Sequence, residues 1–488
     1  MRVLYVDCDT LRADHLGCYG YHRDTSPTVD ALAAEGVRYT RCYASDVPCL
    51  PSRTALFSGR FGMRTGVVTH AGRSAQVRYP GDGHDTDPAR APLMLALANR
   101  GMRTVSFSTF HQRHLAWHFT SGWNEVHRFS NRIGDEIATD LEGPARRWLE
   151  HNGREDDWLL HLHFWDPHTV YRTPESFGKP FEDLAAGDFP SQETLDAAQE
   201  TYGPLGARDL TSMLTFSPWH PEQMRTRDDF KRWIDGYDTG IRFFDDSLSR
   251  IVATLDELGV LDETAIVIST DHGENQGELN LYGAHLTADQ PTNRLPLIVR
   301  WPGRDRGTVR DDLLYHLDLA PTLCELLGVE APAAWDGTSF APTLSGADPA
   351  VVRPYLVLGQ GAWFVQRAVV RGSHMYIRTL HKALDPMPDE LLFDLDADPH
   401  EERNLVASEP ALAAELSRLM LDWWCDVAAD AGRDPLLDVC REGGSLYVRQ
   451  SKDHYLRVLR DTGRHGAARE LESRWLRPVI DRFDLTRY

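Results

Sequence analysis

Short, nearly continuous apolar runs recur along the chain, at 2–6 (RVLYV), 103–108 (RTVSFS), 158–164 (WLLHLHF), 265–270 (AIVIST) and 297–301 (LIVRW). They are rich in β-branched and aromatic residues and too short for core helices, which predicts buried strands. Between them apolar residues return at helical spacing. Ser26 and Pro27 open PTVDALAAEG, which closes at Gly36; PLMLALANRG runs to Gly101; further helices are predicted over 228–259 and 318–328. Strands alternating with helices predict an α/β fold, a large, mostly parallel sheet sandwiched by helices.

The rhythm then changes twice. Residues 172–225 are rich in Pro, Gly and aromatics without a steady period and read as a loop-rich cap inserted into a large unit spanning 1–345. Its Trp219, His220 and Trp233 are candidates to stack on a substrate ring, as are Trp363 and Phe364 further on. Beyond 345, runs such as YLVLG, WFVQRAVV and HMYIRTL alternate with turns, predicting a smaller C-terminal α+β subdomain with an antiparallel sheet over 346–430. Residues 431–488 form a polar, helical tail, expected to make a homo-oligomer contact. There is no internal repeat and no low-complexity segment.

Composition narrows the class. The 488 residues are 42% hydrophobic and 26% charged, ordinary globular values, and no run approaches the roughly 18 apolar residues of a membrane span. The start, MRVLYVDCDT, carries no signal-peptide pattern, so a cytoplasmic protein without a membrane partner is expected. Seven cysteines without CxxC pairs argue against a disulfide framework or zinc knuckle. Lys+Arg 52 against Asp+Glu 73 leaves a net charge of −21, which repels nucleic acid, so an anionic substrate needs a local positive site.

Four of the predicted strands run out into titratable residues: Asp7 and Asp9, His111, Asp166 and His168, then Asp271 and His272. In an open α/β sheet the carboxyl ends of the strands share one edge, where ligands bind. A single Asp or His there is usually a cap or a core hydrogen-bonder; the repetition marks a site, and acids with imidazoles suit a divalent metal. VPCLPSR (47–53) precedes TALFSGR, a short helix that Pro51 would begin and Gly59 end. Cys49 then lies at a helix amino end with Arg53 one turn on, a setting for an anion. A thiolate nucleophile or a bound phosphate or sulfate ester would suit it equally.

CLPSR resembles the C-x-P-S-R signature of the sulfatase family, within the alkaline-phosphatase-like superfamily, and LFSGRFGMRTGV resembles the stretch that follows it. VDCDTLRADHLGCYG, HFWDPHTVY, STDHGENQGE, PLIVRWPG and LLFDLDADPHEERNL resemble further family segments over most of the chain. The resemblance implies a large α/β domain with a smaller antiparallel subdomain, and conversion of Cys49 to formylglycine (3-oxoalanine) by a maturation enzyme. It also implies one divalent metal, Ca2+ by first expectation and Mn2+ as the alternative, held by Asp9, Cys49 as formylglycine, Asp271 and His272. The expected activity is hydrolysis of a small-molecule sulfate ester: the hydrated aldehyde, activated by the metal and Arg53, attacks sulfur, and a covalent sulfated diol follows. His168 would serve the leaving oxygen and His111 would take the proton that lets the diol collapse.

Thr109 and Ala284 stand where many sulfatases carry lysines. His285 and, less directly, Arg113 are the candidates to replace them, and phosphonate monoester or phosphodiester hydrolysis with the same formylglycine is the alternative reaction. A non-catalytic binding protein would be expected to lose a ligand or Arg53, and a plain cysteine hydrolase would leave the neighbouring acids without a role.

Overall fold

The computed structural model describes residues 1–77, 90–213 and 217–476. A nine-stranded sheet runs from edge to edge through Thr308–Arg310, Val37–Tyr43, Arg294–Arg300, Thr264–Ser269, Arg2–Cys8, Trp158–Phe164, Arg103–Phe107 and Glu125–His127, with Leu314–Tyr315 also pairing with Val37–Tyr43. Arg294–Arg300 is antiparallel to both of its neighbours; the other pairings in this sheet are parallel. Side chains alternate between the faces of the central strand. Leu4, Val6 and Cys8 join the core under helices Pro27–Ala34, Ala138–Asn152 and Arg227–Glu257, while Val3 and Tyr5 join the core under Cys49–Ser58, Leu93–Asn99 and Leu319–Leu326. The same alternation sends Asp7 and Asp9 toward helix Cys49–Ser58.

The five strands predicted from apolar runs are all present, within three residues of the expected bounds. Val37–Tyr43 was not predicted, because Arg38 and Arg41 interrupt its apolar content; its signal was the alternation of Val37 and Tyr39, both fully buried. Helix Cys49–Ser58 begins two residues earlier than Pro51 suggested, with Pro48 as its N-cap. Pro51 is tolerated in the first turn because its missing N–H would have had no intrahelical partner there. The helix ends as expected at Gly59, whose φ of 63° is left-handed.

A second sheet, ordered Glu390–Asp394, His374–His381, Val365–Arg371, Leu356–Gln360 and Asp46–Val47, is antiparallel except for the last, parallel pairing. Helix Pro410–Ala431 covers one face through Leu416 and Met420 against Val357, Val369 and Tyr376. Asp46–Val47 ties this sheet to the chain just ahead of Cys49, so the C-terminal sheet braces the start of that helix.

The tail forms helices Leu446–Asp461 and His465–Leu476; residues 477–488 of the expected subunit contact lie outside the described residues. The buried face of these helices packs on the chain's own cap. Tyr455 Oη accepts from Gly203 N–H and donates to Asp209, both at 2.6 Å, and Arg464 forks onto Asp209 at 2.6 and 2.7 Å. Among its described residues the cap holds helix Gln192–Gln199 and two 3-10 turns among loops. Trp233, Trp363 and Phe364 are core residues, and His220 stacks on Trp233, so these rings are already engaged. No described helix is long and apolar enough to cross a membrane.

Candidate active site

Four elements meet at the carboxyl edge of the large sheet around helix Cys49–Ser58. Arg53, one turn into this helix and 1% exposed, donates from Nε and Nη2 to Asp7 at 2.9 and 3.0 Å, and from Nη1 to Asp9 at 3.0 Å and to Asp271. Its guanidinium lies 4.7 Å from the Phe110 ring centroid. Ser52, the preceding residue, donates to the Asp271 carbonyl at 2.6 Å and pins the end of strand Thr264–Ser269 to the helix.

Cys49 Sγ lies 2.9 Å from His272 Nε2, and His272 Nδ1 lies 2.8 Å from the Gly273 carbonyl. That carbonyl can only accept, so Nδ1 carries the proton and Nε2 turns a lone pair into the site. The ligand atoms of Asp9, Cys49, Asp271 and His272 all lie within 4.8 Å of one another, every residue buried. Here the thiol sulfur stands for the oxygen that formylglycine would place at position 49.

The electrostatics are those of a cation-binding centre. Burial pushes Asp9 upward, but Arg53 and the His163 hydrogen bond outweigh it and hold the carboxyl well below its usual range. Asp271 goes the other way: burial, with Asp9 and Asp7 adding to it, holds it well above its usual range despite Arg53. Three buried carboxylates thus share one guanidinium, and Asp9 Oδ1 has no hydrogen-bond partner. Excess buried negative charge, an orphaned oxygen and an imidazole lone pair aimed at the same point fit a divalent cation.

Two histidines that the sequence reading passed over support the acids. Strand Trp158–Phe164 lies beside Arg2–Cys8, and its His161 and His163 reach Asp7 and Asp9 at 3.3 and 3.4 Å. Ser106 and Ser108 contact their Nδ1 atoms at 3.0 and 2.9 Å. Their spacing of two on a strand, placing both on one face, was the available signal.

The remaining candidates divide. His285 stacks on His272 at 4.5 Å between centroids, and His168 lies 5.0 Å from His285, so both border the cluster. Burial lowers the His168 pKa, which keeps the ring neutral. His111 lines a narrow cavity with Arg53, Ser106, Phe119, Trp123 and His161, and burial alone lowers its pKa. His114, three residues on, packs 4.8 Å from His70, and burial, with His70 and Arg53 adding to it against Asp9, holds its pKa well below the usual imidazole range. Thr109 is fully buried, donating to Glu136 at 3.0 Å and accepting from Trp165 Nε1 at 3.1 Å, while Ala284 is also buried. Asp166 sits apart from the acids, pushed up to about 7 by burial.

A doubly covered α/β sheet with a converging Asp, Asp, His and Cys set at one edge, able to hold a metal ion, is the arrangement of an alkaline-phosphatase-like hydrolase. The sulfatase family model matches residues 2–329, and the model described as N-sulphoglucosamine sulphohydrolase, C-terminal, matches residues 277–422. The chain belongs to the sulfatase family, whose members are sulfuric ester hydrolases.

The chain is similar to the multifunctional alkaline phosphatase superfamily protein PehA of Trinickia caryophylli, at 27% identity over 82% of this chain and 89% of that protein. It is similar to the choline-sulfatase of Rhizobium meliloti (strain 1021), at 26% identity over 78% of this chain and 77% of that one. Among solved structures, the phosphonate monoester hydrolase of Agrobacterium radiobacter superimposes with a TM-score of 0.68 at 21% identity, covering 87% of this chain and 96% of the other.

Proposed function

We propose that the protein cleaves a small sulfate monoester with formylglycine at position 49 and one divalent metal held by Asp9, Asp271, His272 and the oxygen of the modified residue. The observation that carries this reading is the seat of Cys49: the first residue of its helix, 2.9 Å from His272 Nε2, inside the ring of acids that Arg53 binds. A mass measurement of the tryptic peptide from Cys42 to Arg53, after expression with a maturation enzyme, tests it. An intact, alkylatable Cys49 there would sink it.

The metal would supply Lewis-acid stabilisation of charge on the ester oxygens. Because His272 brings a nitrogen donor, Mn2+ suits the set better than Ca2+, which prefers oxygens alone. Formylglycine would supply a hydrated aldehyde as the nucleophile.

The chain's own residues do the rest. The amino end of helix Cys49–Ser58 directs N–H groups at an anion, and Arg53 adds a fixed charge without conformational freedom, since its donors are committed to Asp7, Asp9 and Asp271. His168 and His285 border the leaving-group side as neutral imidazoles, able to hold or pass a proton at a ring nitrogen. His114, with His70 behind it, takes the proton-accepting role that the sequence had placed on His111. Arg113 has no ion-pair partner among the described residues and influences His70, His114 and His168, so it is the rim cation that draws in the anionic ester.

Phosphonate monoester cleavage is the second reading. It is favoured by Thr109, which is locked to Glu136 and Trp165 where a lysine was expected.

A further inference from the structure

The thiol of Cys49 faces two imidazoles, and only one of them belongs to the proposed ligand set of the converted enzyme. Cys49, His272 and His285 form a group of their own, with one ligand atom from each lying within 4.8 Å of the other two. The two rings are nearly parallel, 22° apart with centroids at 4.5 Å. His285 Nδ1 is buried without a partner. The three residues come from separate places: the start of helix Cys49–Ser58, the turn after strand Thr264–Ser269, and the end of strand Tyr282–Ala284.

One sulfur and two imidazole nitrogens make a borderline-soft donor set, the kind that selects Zn2+ over Ca2+ or Mn2+. The harder donors are partly occupied at the same time, since Arg53 Nη1 bonds one oxygen, Oδ2, of both Asp9 and Asp271.

We propose that the unconverted chain is a zinc protein, binding Zn2+ through Cys49 Sγ, His272 and His285. Binding breaks the S–H bond, forms a Zn–S bond and releases one proton to solvent; no oxidant or reductant is involved. The fourth tetrahedral position falls to Asp9 Oδ1, which has no hydrogen-bond partner, or to water. Once oxygen replaces sulfur at position 49, the soft ligand is lost, His285 leaves the set, and the site passes to the harder ion. This rests on the reading of Cys49 as the residue that is converted, but its test is metal binding by the thiol form and does not depend on turnover.

The experiment uses full-length protein made without the maturation enzyme, its intact Cys49 verified by mass and its metals removed by chelation, then titrated with Co2+ and Zn2+. One equivalent of Co2+ is expected to give a thiolate-to-cobalt charge-transfer band with tetrahedral visible bands, and one equivalent of Zn2+ to bleach both. Cys49→Ser should abolish the charge-transfer band. His285→Ala should weaken Zn2+ binding at least tenfold, and His285→Gln, which preserves side-chain bulk and polarity, should do the same, with thermal melts confirming that both fold. Absence of the band in the parent overturns the proposal, as does a Zn2+ affinity within threefold of the parent in both His285 variants.

Discussion

Arg53 grips Asp7 through two parallel hydrogen bonds, Nε to Oδ2 at 2.9 Å and Nη2 to Oδ1 at 3.0 Å, and this grip turns Nη1 toward Asp9 and Asp271. Burial pushes the Asp7 carboxyl upward, but the adjacent Arg53 and the His161 hydrogen bond hold it well below its usual range. Asp7 therefore positions the guanidinium and stays outside the proposed metal set. Asp7→Asn breaks the fork and leaves Arg53 free to tilt onto the metal-binding acids. The expected result is a stability loss of about 3 kcal/mol and a metal affinity reduced by roughly 10–100-fold, read by denaturant unfolding and chelator competition. Unchanged metal affinity would show that Asp7 has no positioning role.

Asp7 also shows where sequence reading stops. Its place on the Asp9 face follows from strand alternation, and the convergence of Asp9, Asp271, His272 and Cys49 follows from strands ending at one edge. What no spacing revealed was direction within an irregular turn. His111 and His114 lie three apart in a four-residue helix, Phe110–Arg113, and the loop after it, where no period fixes direction, and Phe110, which opens that helix, packs on Arg53. The small sheet was legible from its alternation, but the parallel pairing of Asp46–Val47 with Leu356–Gln360 was not, since a two-residue strand has no period.

His114→Gln is expected to lower kcat at least 100-fold on an aryl sulfate, whereas His111→Gln should change it by less than about threefold. Steady-state kinetics on both variants, with melts as a folding control, decide between the two histidines. The reverse order of effects would return the proton-accepting role to His111.

Arg113 packs its stem over Gly134, and a Cβ placed there would come within 2.9 Å of Arg113 Cδ. With no ion-pair partner among the described residues, its charge is available to an incoming anion. Arg113→Gln should raise KM about tenfold at low salt, the value of a single exposed charge contact, with little change in kcat. The difference should shrink at high ionic strength, where screening removes it from the parent too. A kcat defect that ignores salt would place Arg113 against the reacting atoms.

Thr109 bridges Trp165 and Glu136 within the protein, so the site has replaced an expected lysine with a structural hydrogen bond. Thr109→Val leaves the Trp165 N–H and a Glu136 oxygen short of a partner, and should cost about 2 kcal/mol. It should not alter the ratio of aryl sulfate to aryl phosphonate rates, measured under one set of conditions with Cys49→Ala as the blank. A shifted ratio would mean that Thr109 reaches the transferred group.

Asp385 offers a pH test remote from the metal site. It accepts from Trp363 Nε1 at 2.9 Å in the packing between the small sheet and the tail, and burial raises its pKa from 3.8 to about 7. A carboxyl with a raised folded pKa binds its proton more tightly in the folded state. Its stabilising contribution is complete below about pH 3.8 and is lost as pH rises through about 7. From the span of the shift this amounts to at most about 4 kcal/mol. Asp385→Asn retains an oxygen for Trp363 and cannot ionise. The variant should match or fall below the parent in stability near pH 4 and exceed it near pH 8, so the two stability curves cross between those values. Denaturant unfolding of both proteins across that range provides the measurement, and curves that stay parallel would mean that the buried carboxyl is not ionising within the folded protein.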